Sequence, residues 1–316
     1  MQVFALNESL HLGQGIAASI GIDLSELEHR DFSDGESKIR PMVSVRGQDV
    51  YVVQSLFAEP DLGVHDKLGR LLFLIATMRD HGAARVTAVV PYLAYARKDR
   101  RTKPRDPLTT RYVAQLFEAV RCDCIVTLEV HNTAAFENAF RCQTVHLELG
   151  DVFREKMSWQ DDSQRLVVVS PDPGGVKRAQ LFREALEQRL GQPVGFGFMD
   201  KRRSAGLMTH GEMTGDFAGA SVLIVDDMIA SGGTMLTAAG ECRQRGAAKV
   251  YAMAAHGLFT GDTTALFSGD LIERVFVTDS IAPYRLPLGD KTARFEIATT
   301  AQVFADTVKR LSIGQR

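Results

Sequence analysis

Residues 222–234 read Val222-Leu-Ile-Val-Asp-Asp-Met-Ile-Ala-Ser-Gly-Gly-Thr234. Four branched apolar residues in a row suit a strand buried on both faces. Two adjacent carboxylates, Asp226 and Asp227, end the run, and Ser231-Gly-Gly-Thr234 then opens a helical pattern through 235–245. A buried strand that turns at once into a helix is a unit of a parallel α/β sheet, where ligands bind outside the carboxyl ends of the strands. Glycines let backbone N–H groups come close to a ligand, the helix start adds partial positive charge, and hydroxyls add donors. Such a turn suits a phosphate, and two carboxylates beside it suit the hydroxyls of an attached sugar. The plainer alternative is an N-capped helix after a strand with an acidic end.

The same alternation runs outward in both directions. Short apolar runs lie at 50–56, 86–93, 124–130, 166–170, 194–199, 250–254 and 274–278, and amphipathic helical patterns at 67–81, 108–121 and 175–190. This predicts an α/β protein with parallel sheets and right-handed crossovers. The pattern runs twice. The expected organisation is therefore two α/β lobes, residues 1–147 and 148–316, with a closing helix at about 300–311 that packs back on the N-terminal lobe.

Composition narrows the function classes. The chain has 316 residues, 37 Lys and Arg against 39 Asp and Glu, and a net charge of −2, which argues against a globally basic nucleic-acid binder. No uncharged apolar run approaches the ~20 residues of a membrane span. The opening Met1-Gln-Val-Phe-Ala-Leu-Asn-Glu8 has neither the basic start nor the long apolar stretch of a signal peptide, so a cytoplasmic location is expected. Four cysteines in a chain of this size do not make a disulfide scaffold. Cys122 and Cys124 lack the spacing and second pair of a zinc site and read as strand residues.

Five further segments carry chemistry. Phe32-Ser-Asp-Gly-Glu36 sets an aromatic ring beside two carboxylates, Asp34 and Glu36. Pro91-Tyr-Leu-Ala-Tyr-Ala-Arg-Lys-Asp-Arg-Arg101 follows a strand, and six of the nine residues 97–105 are basic. Such a run is usually a solvated face, but Arg97 behind a strand end can also grip phosphate with both arms of its guanidinium. Thr127-Leu-Glu-Val-His131 ends a strand in a histidine, and Val167-Val-Val-Ser-Pro-Asp-Pro-Gly-Gly-Val176 ends one in Asp172 before a helix start. Met199-Asp-Lys-Arg-Arg203 places a basic triplet before a Gly-, Ser-, Thr- and Met-rich stretch.

The 222–234 segment resembles the 5-phosphoribosyl 1-diphosphate loop shared by type I phosphoribosyltransferases and ribose-phosphate pyrophosphokinases, and alone it does not separate the two. The other five segments, in the same order, resemble the ribose-phosphate pyrophosphokinase family. That resemblance implies two phosphoribosyltransferase-like lobes, the first on the ATP side and the second on the ribose 5-phosphate side. It implies transfer of the diphosphoryl group of Mg-ATP to the C1 hydroxyl of ribose 5-phosphate, for nucleotide biosynthesis. It puts Phe32, Asp34 and Glu36 on adenine, in a loop donated by a neighbouring subunit, and Arg97, Lys98 and His131 on ATP. His131 and Asp172 fall on Mg2+ positions, and Lys201 and Arg203 on the catalytic cations of a mobile loop. Asp226 and Asp227 fall on the ribose hydroxyls, and Ala230, Ser231, Gly232, Gly233 and Thr234 around the 5-phosphate. It further implies self-association into dimers and a hexamer, with no nucleic-acid or membrane partner.

Three positions depart from the common family pattern: Lys98 replaces Gln, Glu129 replaces Asp, and Ala230 replaces the Asp that opens the phosphate loop. They bear on nucleotide choice and on allosteric control by phosphate and ADP. The competing readings are a phosphoribosyltransferase, a non-catalytic regulatory paralogue, and a pyrophosphokinase with another phosphoribosyl acceptor. His256 ends a strand and is a candidate for the border of the second lobe's cleft, while Trp159 reads as a loop anchor.

Overall fold

The computed structural model describes residues 1–153, 165–200, 203–204, 207–208, 212–286 and 294–314. Two compact units emerge, residues 1–148 with 300–316, and residues 149–299.

The first unit opens with β1 (Gln2–Ala5) and α1 (Leu10–Ile20), then β2 (Leu27–Asp31) and β3 (Ser37–Pro41), β4 (Asp49–Val53), α2 (Val64–Asp80) and β5 (Arg85–Val90). It continues with α3 (Thr109–Ala119), β6 (Cys124–Leu128), α4 (Thr133–Ala139) and β7 (Gln143–Leu147). A parallel sheet runs β1-β4-β5-β6-β7, and β2 with β3 form a separate antiparallel hairpin. Strands β4, β5 and β6, the first two rich in valine, are buried almost throughout, as strands covered on both faces must be. Residues 54–56 stay buried although β4 stops at Val53, so the expected strand at 50–56 is shorter than its apolar run. The hairpin and the short strand β7 had no comparable apolar run to announce them, whereas β1 coincides with the apolar run Val3-Phe-Ala-Leu6.

The second unit contains α5 (Leu149–Phe153), β8 (Leu166–Ser170), α6 (Val176–Leu190), β9 (Gly195–Asp200), a pair of two-residue strands, β10 (Arg203–Ser204) and β11 (Leu207–Met208), and β12 (Glu212–Thr214). After these come β13 (Ser221–Ile229), α7 (Gly233–Gln244), β14 (Lys249–Gly257), α8 (Thr264–Ser268), β15 (Arg274–Thr278) and β16 (Phe295–Ala298). Its sheet runs β12-β9-β8-β13-β14-β15-β16, parallel except for the β12–β9 pair. The core joins Val222 and Ile224 of β13 to Val250 and Ala252 of β14 and to Ala238, Ala239 and Cys242 of α7.

The last helix, α9 (Ala301–Ser312), belongs to the first unit. Phe304 and Val308 are fully buried, Lys309 Nζ donates to the Ser19 carbonyl at 2.8 Å, and Arg85 Nη2 donates to the Leu311 carbonyl at 2.7 Å. Gly15 of α1 admits the close approach, because a Cβ there would stand 2.9 Å from Ala301 Cβ. Among the described residues, no helix is long and apolar enough to cross a membrane.

Candidate functional site

Strand order reverses beside β8: its successor β9 lies on one side and β13 on the other. Loops leaving two such strands diverge and open a crevice at their carboxyl ends. The β8–β13 ladder ends at Ile224↔Val169, whereas β13 stays paired with β14 as far as Ile229↔Gly257. The two carboxylates are therefore inside a strand of nine residues rather than after one of four, as the apolar run alone suggested. Asp226 and Asp227 occupy the stretch that has outrun β8, next to the loop carrying Asp172.

That loop is tightly built. Asp172 caps the helix start with Oδ1 accepting from the Gly175 N–H at 3.0 Å, and Ser170 Oγ donates to the Asp172 carbonyl at 2.7 Å. Arg178, in the first turn of α6, reaches back across Gly175. Its Nη1 lies 3.3 Å from Asp226 Oδ1 and 3.6 Å from Asp227 Oδ1. The Asp227 N–H also donates to Asp226 Oδ1, at 2.8 Å. Burial pushes the Asp226 carboxyl well above the usual carboxylate range, Asp227 and Asp172 push it further, and Arg178 opposes them.

Beyond the carboxylates the chain turns into α7. The Ile229 carbonyl accepts from both Leu258 N and Phe259 N, and the Ala230 carbonyl accepts from Thr260 N at 2.9 Å. Gly232 is left-handed, with φ of 83°, and is buried against Leu266, whose side chain occupies the space a Cβ would need. Ser231 and Gly233 are exposed at the helix start. The first N–H groups of any helix lack partners within it, so this turn presents donors and the positive end of a dipole. Residues 230–234 follow directly on the carboxylate pair at the carboxyl end of β13, with Asp226 partly exposed and Asp227 buried. His256 does not join them: it is 1% exposed, and its Nδ1 is hydrogen-bonded to Ser280 Oγ at 2.8 Å.

In the first unit, the loops after β5 and β6 are tied together by Asn132 Nδ2 donating to Asp99 Oδ2 at 2.7 Å, while Asn132 Oδ1 caps α4. Arg97 and Lys98 are exposed on the first loop and His131 on the second. Tyr95 and Glu129, one in each loop, are non-glycine residues at positive φ, 65° and 39°. Tyr95 Oη is hydrogen-bonded to His65 Nε2, and the two rings stack. Phe32, Asp34 and Glu36 form the tip of the β2–β3 hairpin. Phe32 N donates to the Glu36 carbonyl, Glu36 N donates to Asp34 Oδ1, and Gly35 takes φ of 92°. The Phe32 ring is 38% exposed beneath the Arg30 guanidinium. Arg70 of α2 steadies the hairpin by donating to Asp31 Oδ1 at 2.7 Å and to Glu8 Oε1 at 3.2 Å.

Lys201 and Trp159 lie outside the described residues. Arg203 enters only through its backbone, paired with Met208. Reading the sequence alone did not single out Arg178, Asn132, His65 or Arg70. The one available signal was an arginine in the first turn of a helix that follows a strand-end acid.

Three family models match the chain. The N-terminal domain of ribose phosphate pyrophosphokinase matches residues 1–120, the phosphoribosyl transferase domain 146–260, and the phosphoribosyl synthetase-associated domain 208–315. A ribose-phosphate pyrophosphokinase of Caldanaerobacter subterraneus subsp. tengcongensis is 34% identical over 99% of this chain and 95% of its own length. One from Chlorobaculum tepidum is 33% identical over 100% and 93%. The crystal structure of phosphoribosylpyrophosphate synthetase from Mycobacterium smegmatis superposes with a TM-score of 0.84, at 27% identity, over 99% of both chains. The two-lobe α/β fold, the carboxylate pair at the strand reversal and likeness over nearly the whole length agree: the chain belongs to the ribose-phosphate pyrophosphokinase family.

Proposed function

We propose that this enzyme transfers the diphosphoryl group of ATP to ribose 5-phosphate. The C1 oxygen of the sugar bonds to the β-phosphorus, the bond from that phosphorus to the α-phosphate oxygen breaks, and AMP leaves with that oxygen. The hydroxyl proton goes to solvent. The observation that carries the reading is likeness to ribose-phosphate pyrophosphokinases over nearly the whole chain, with Asp226 and Asp227 preceding the Ala230–Thr234 turn at the strand reversal of the second unit. Transferases of the same loop type need no ATP site, and the exposed cations and aromatic hairpin tip of the first unit favour the pyrophosphokinase reading.

In this reading the carboxylate pair accepts hydrogen bonds from the ribose hydroxyls. The backbone N–H groups, Ser231 and Thr234 of the α7 turn hold the 5-phosphate. Ala230 contributes only its backbone, so this loop relies on donors rather than on a side-chain acceptor. Phe32, Asp34 and Glu36 read adenine across a subunit boundary, Arg97 and Lys98 hold the triphosphate, and Lys201 and Arg203 meet charge developing on the moving group. Among the described residues, no cluster of three or more His, Cys, Asp or Glu side chains would hold a metal on protein ligands alone. Asp172, already oriented by Gly175, nonetheless fits magnesium, which takes one or two carboxylates and fills its remaining positions with phosphate oxygens and water. In the first unit His131 would hold the magnesium that accompanies ATP, and in the second Asp172 is the second metal-site residue; such an ion supplies charge neutralisation on the phosphates. We place the enzyme in the cytoplasm, as a dimer-based oligomer.

The test is AMP release from Mg-ATP and ribose 5-phosphate, with phosphorus NMR of the product. AMP plus a diphosphate on C1 of the sugar is expected. ATP binding without AMP would overturn ribose 5-phosphate as acceptor, and neither binding nor AMP would overturn the catalytic reading.

A further inference from the structure

Asp226 and Asp227 are consecutive residues of a strand, where side chains normally leave on opposite faces. Yet a single guanidinium nitrogen, Arg178 Nη1, lies within 3.6 Å of a carboxylate oxygen of each. The three side chains are nearly enclosed, at 14%, 4% and 11% exposure. Two buried like charges repel unless a fixed cation lies between them, and arginine cannot lose its charge. Asp172 adds a third carboxylate nearby. The room for this contact is built in: a Cβ on Gly175 would stand 3.3 Å from Arg178 Nη1 and 2.8 Å from Ser170 Oγ.

Resting on the pyrophosphokinase reading, we infer that Arg178 is a positioning residue: it holds the two carboxylates together as one acceptor for the adjacent 2- and 3-hydroxyls of the sugar. It acts through the pair and not on the reacting phosphate. Its contribution therefore falls on sugar affinity and on discrimination for an intact diol, not on ATP.

The experiment is calorimetric binding of ribose 5-phosphate and of 2-deoxyribose 5-phosphate to wild type, Arg178→Gln and Arg178→Lys, with KM for ATP measured alongside and folding checked by thermal melts. Arg178→Gln is expected to weaken ribose 5-phosphate about tenfold or more, the worth of a hydrogen bond between charged groups. The preference over the 2-deoxy sugar should collapse while KM for ATP stays within about twofold, because changes at separate sites act independently. Arg178→Lys, which keeps the charge and is the milder change for folding, should recover part of both. A merely structural arginine would raise both substrates' constants together and leave the sugar preference intact, and that result would overturn the inference while leaving the reaction standing. A wild type that binds no ribose 5-phosphate would instead overturn the reading of the site and the inference with it.

Discussion

The Asp226 carboxyl is more costly to ionise than an ordinary one, because it is buried and faces Asp227. A carboxyl whose folded value is raised contributes stability at low pH that is lost as pH rises through that value. Asp226→Asn removes the charge and that loss. The variant is therefore expected to be more stable than wild type by about 1 kcal/mol at pH 8, with the gain shrinking towards pH 4. The same change should raise KM for ribose 5-phosphate by about tenfold and leave that for ATP nearly unchanged. Thermal melts across pH and paired kinetics check the two halves, and an unchanged sugar constant would remove Asp226 from the site. The cysteines differ in the same residue-by-residue way. Burial pushes Cys124 and Cys242 up to about 12, whereas a hydrogen bond from Cys122 lowers half-buried Cys142. Iodoacetamide at pH 8 should modify Cys142 first and the other three only after unfolding, and mass mapping of the adducts tests this.

At the scale of elements, the site is a consequence of how long β13 is. Apolar character ends at Val225, but hydrogen bonds to β14 carry the strand to Ile229. The paired extension holds the carboxylates on a rigid ladder instead of a loop. The turn that follows has two glycines with different duties. Gly232 is left-handed and its Cβ position is filled by Leu266, whereas at Gly233 only Ser231 Oγ comes near, at 3.9 Å. Gly232→Ala should cost about 2–4 kcal/mol from strain and overpacking. Gly233→Ala, at a helical position, should change stability by less than about 0.5 kcal/mol or improve it. Denaturant titration of the two variants distinguishes them, and equal losses would refute the assignment. The Gly-Gly pair is plain in the sequence, but Leu266 lies more than thirty residues away, and no local pattern says which glycine it meets.

For the whole molecule, the division into units is not a simple halving of the chain. Expected boundaries gave residues 148–316 to the second domain with its closing helix packing back. Residues 300–316 are grouped with the first 148, and α9 lies along α1. Phe32 stands exposed at a hairpin tip. If adenine is read across a subunit boundary, Phe32→Ala and Lys201→Ala subunits are each nearly inactive alone and regain turnover when co-assembled. Mixing, brief dissociation and reassembly with AMP release as readout tests this, and no recovery in mixed oligomers would argue for a site within one subunit.

What the sequence determined by itself was chemical type and local order. Branched apolar runs mark buried segments that are mostly strand, Gly-Gly after a strand marks where the chain leaves it, and five motifs in one order point to one family. The acids, hydroxyls, cations and histidine of the candidate site were all visible there. Only the tertiary structure decided which of them share a place. It extended β13 past its apolar run, set Asp172 beside Asp226 by reversing strand order at β8, and brought Arg178 over Gly175 onto both carboxylates. It also removed His256 from the surface. The physical reason is that burial, repulsion between carboxylates and the space beside a glycine are properties of neighbours in three dimensions, and those neighbours come from strands and helices far apart in the chain.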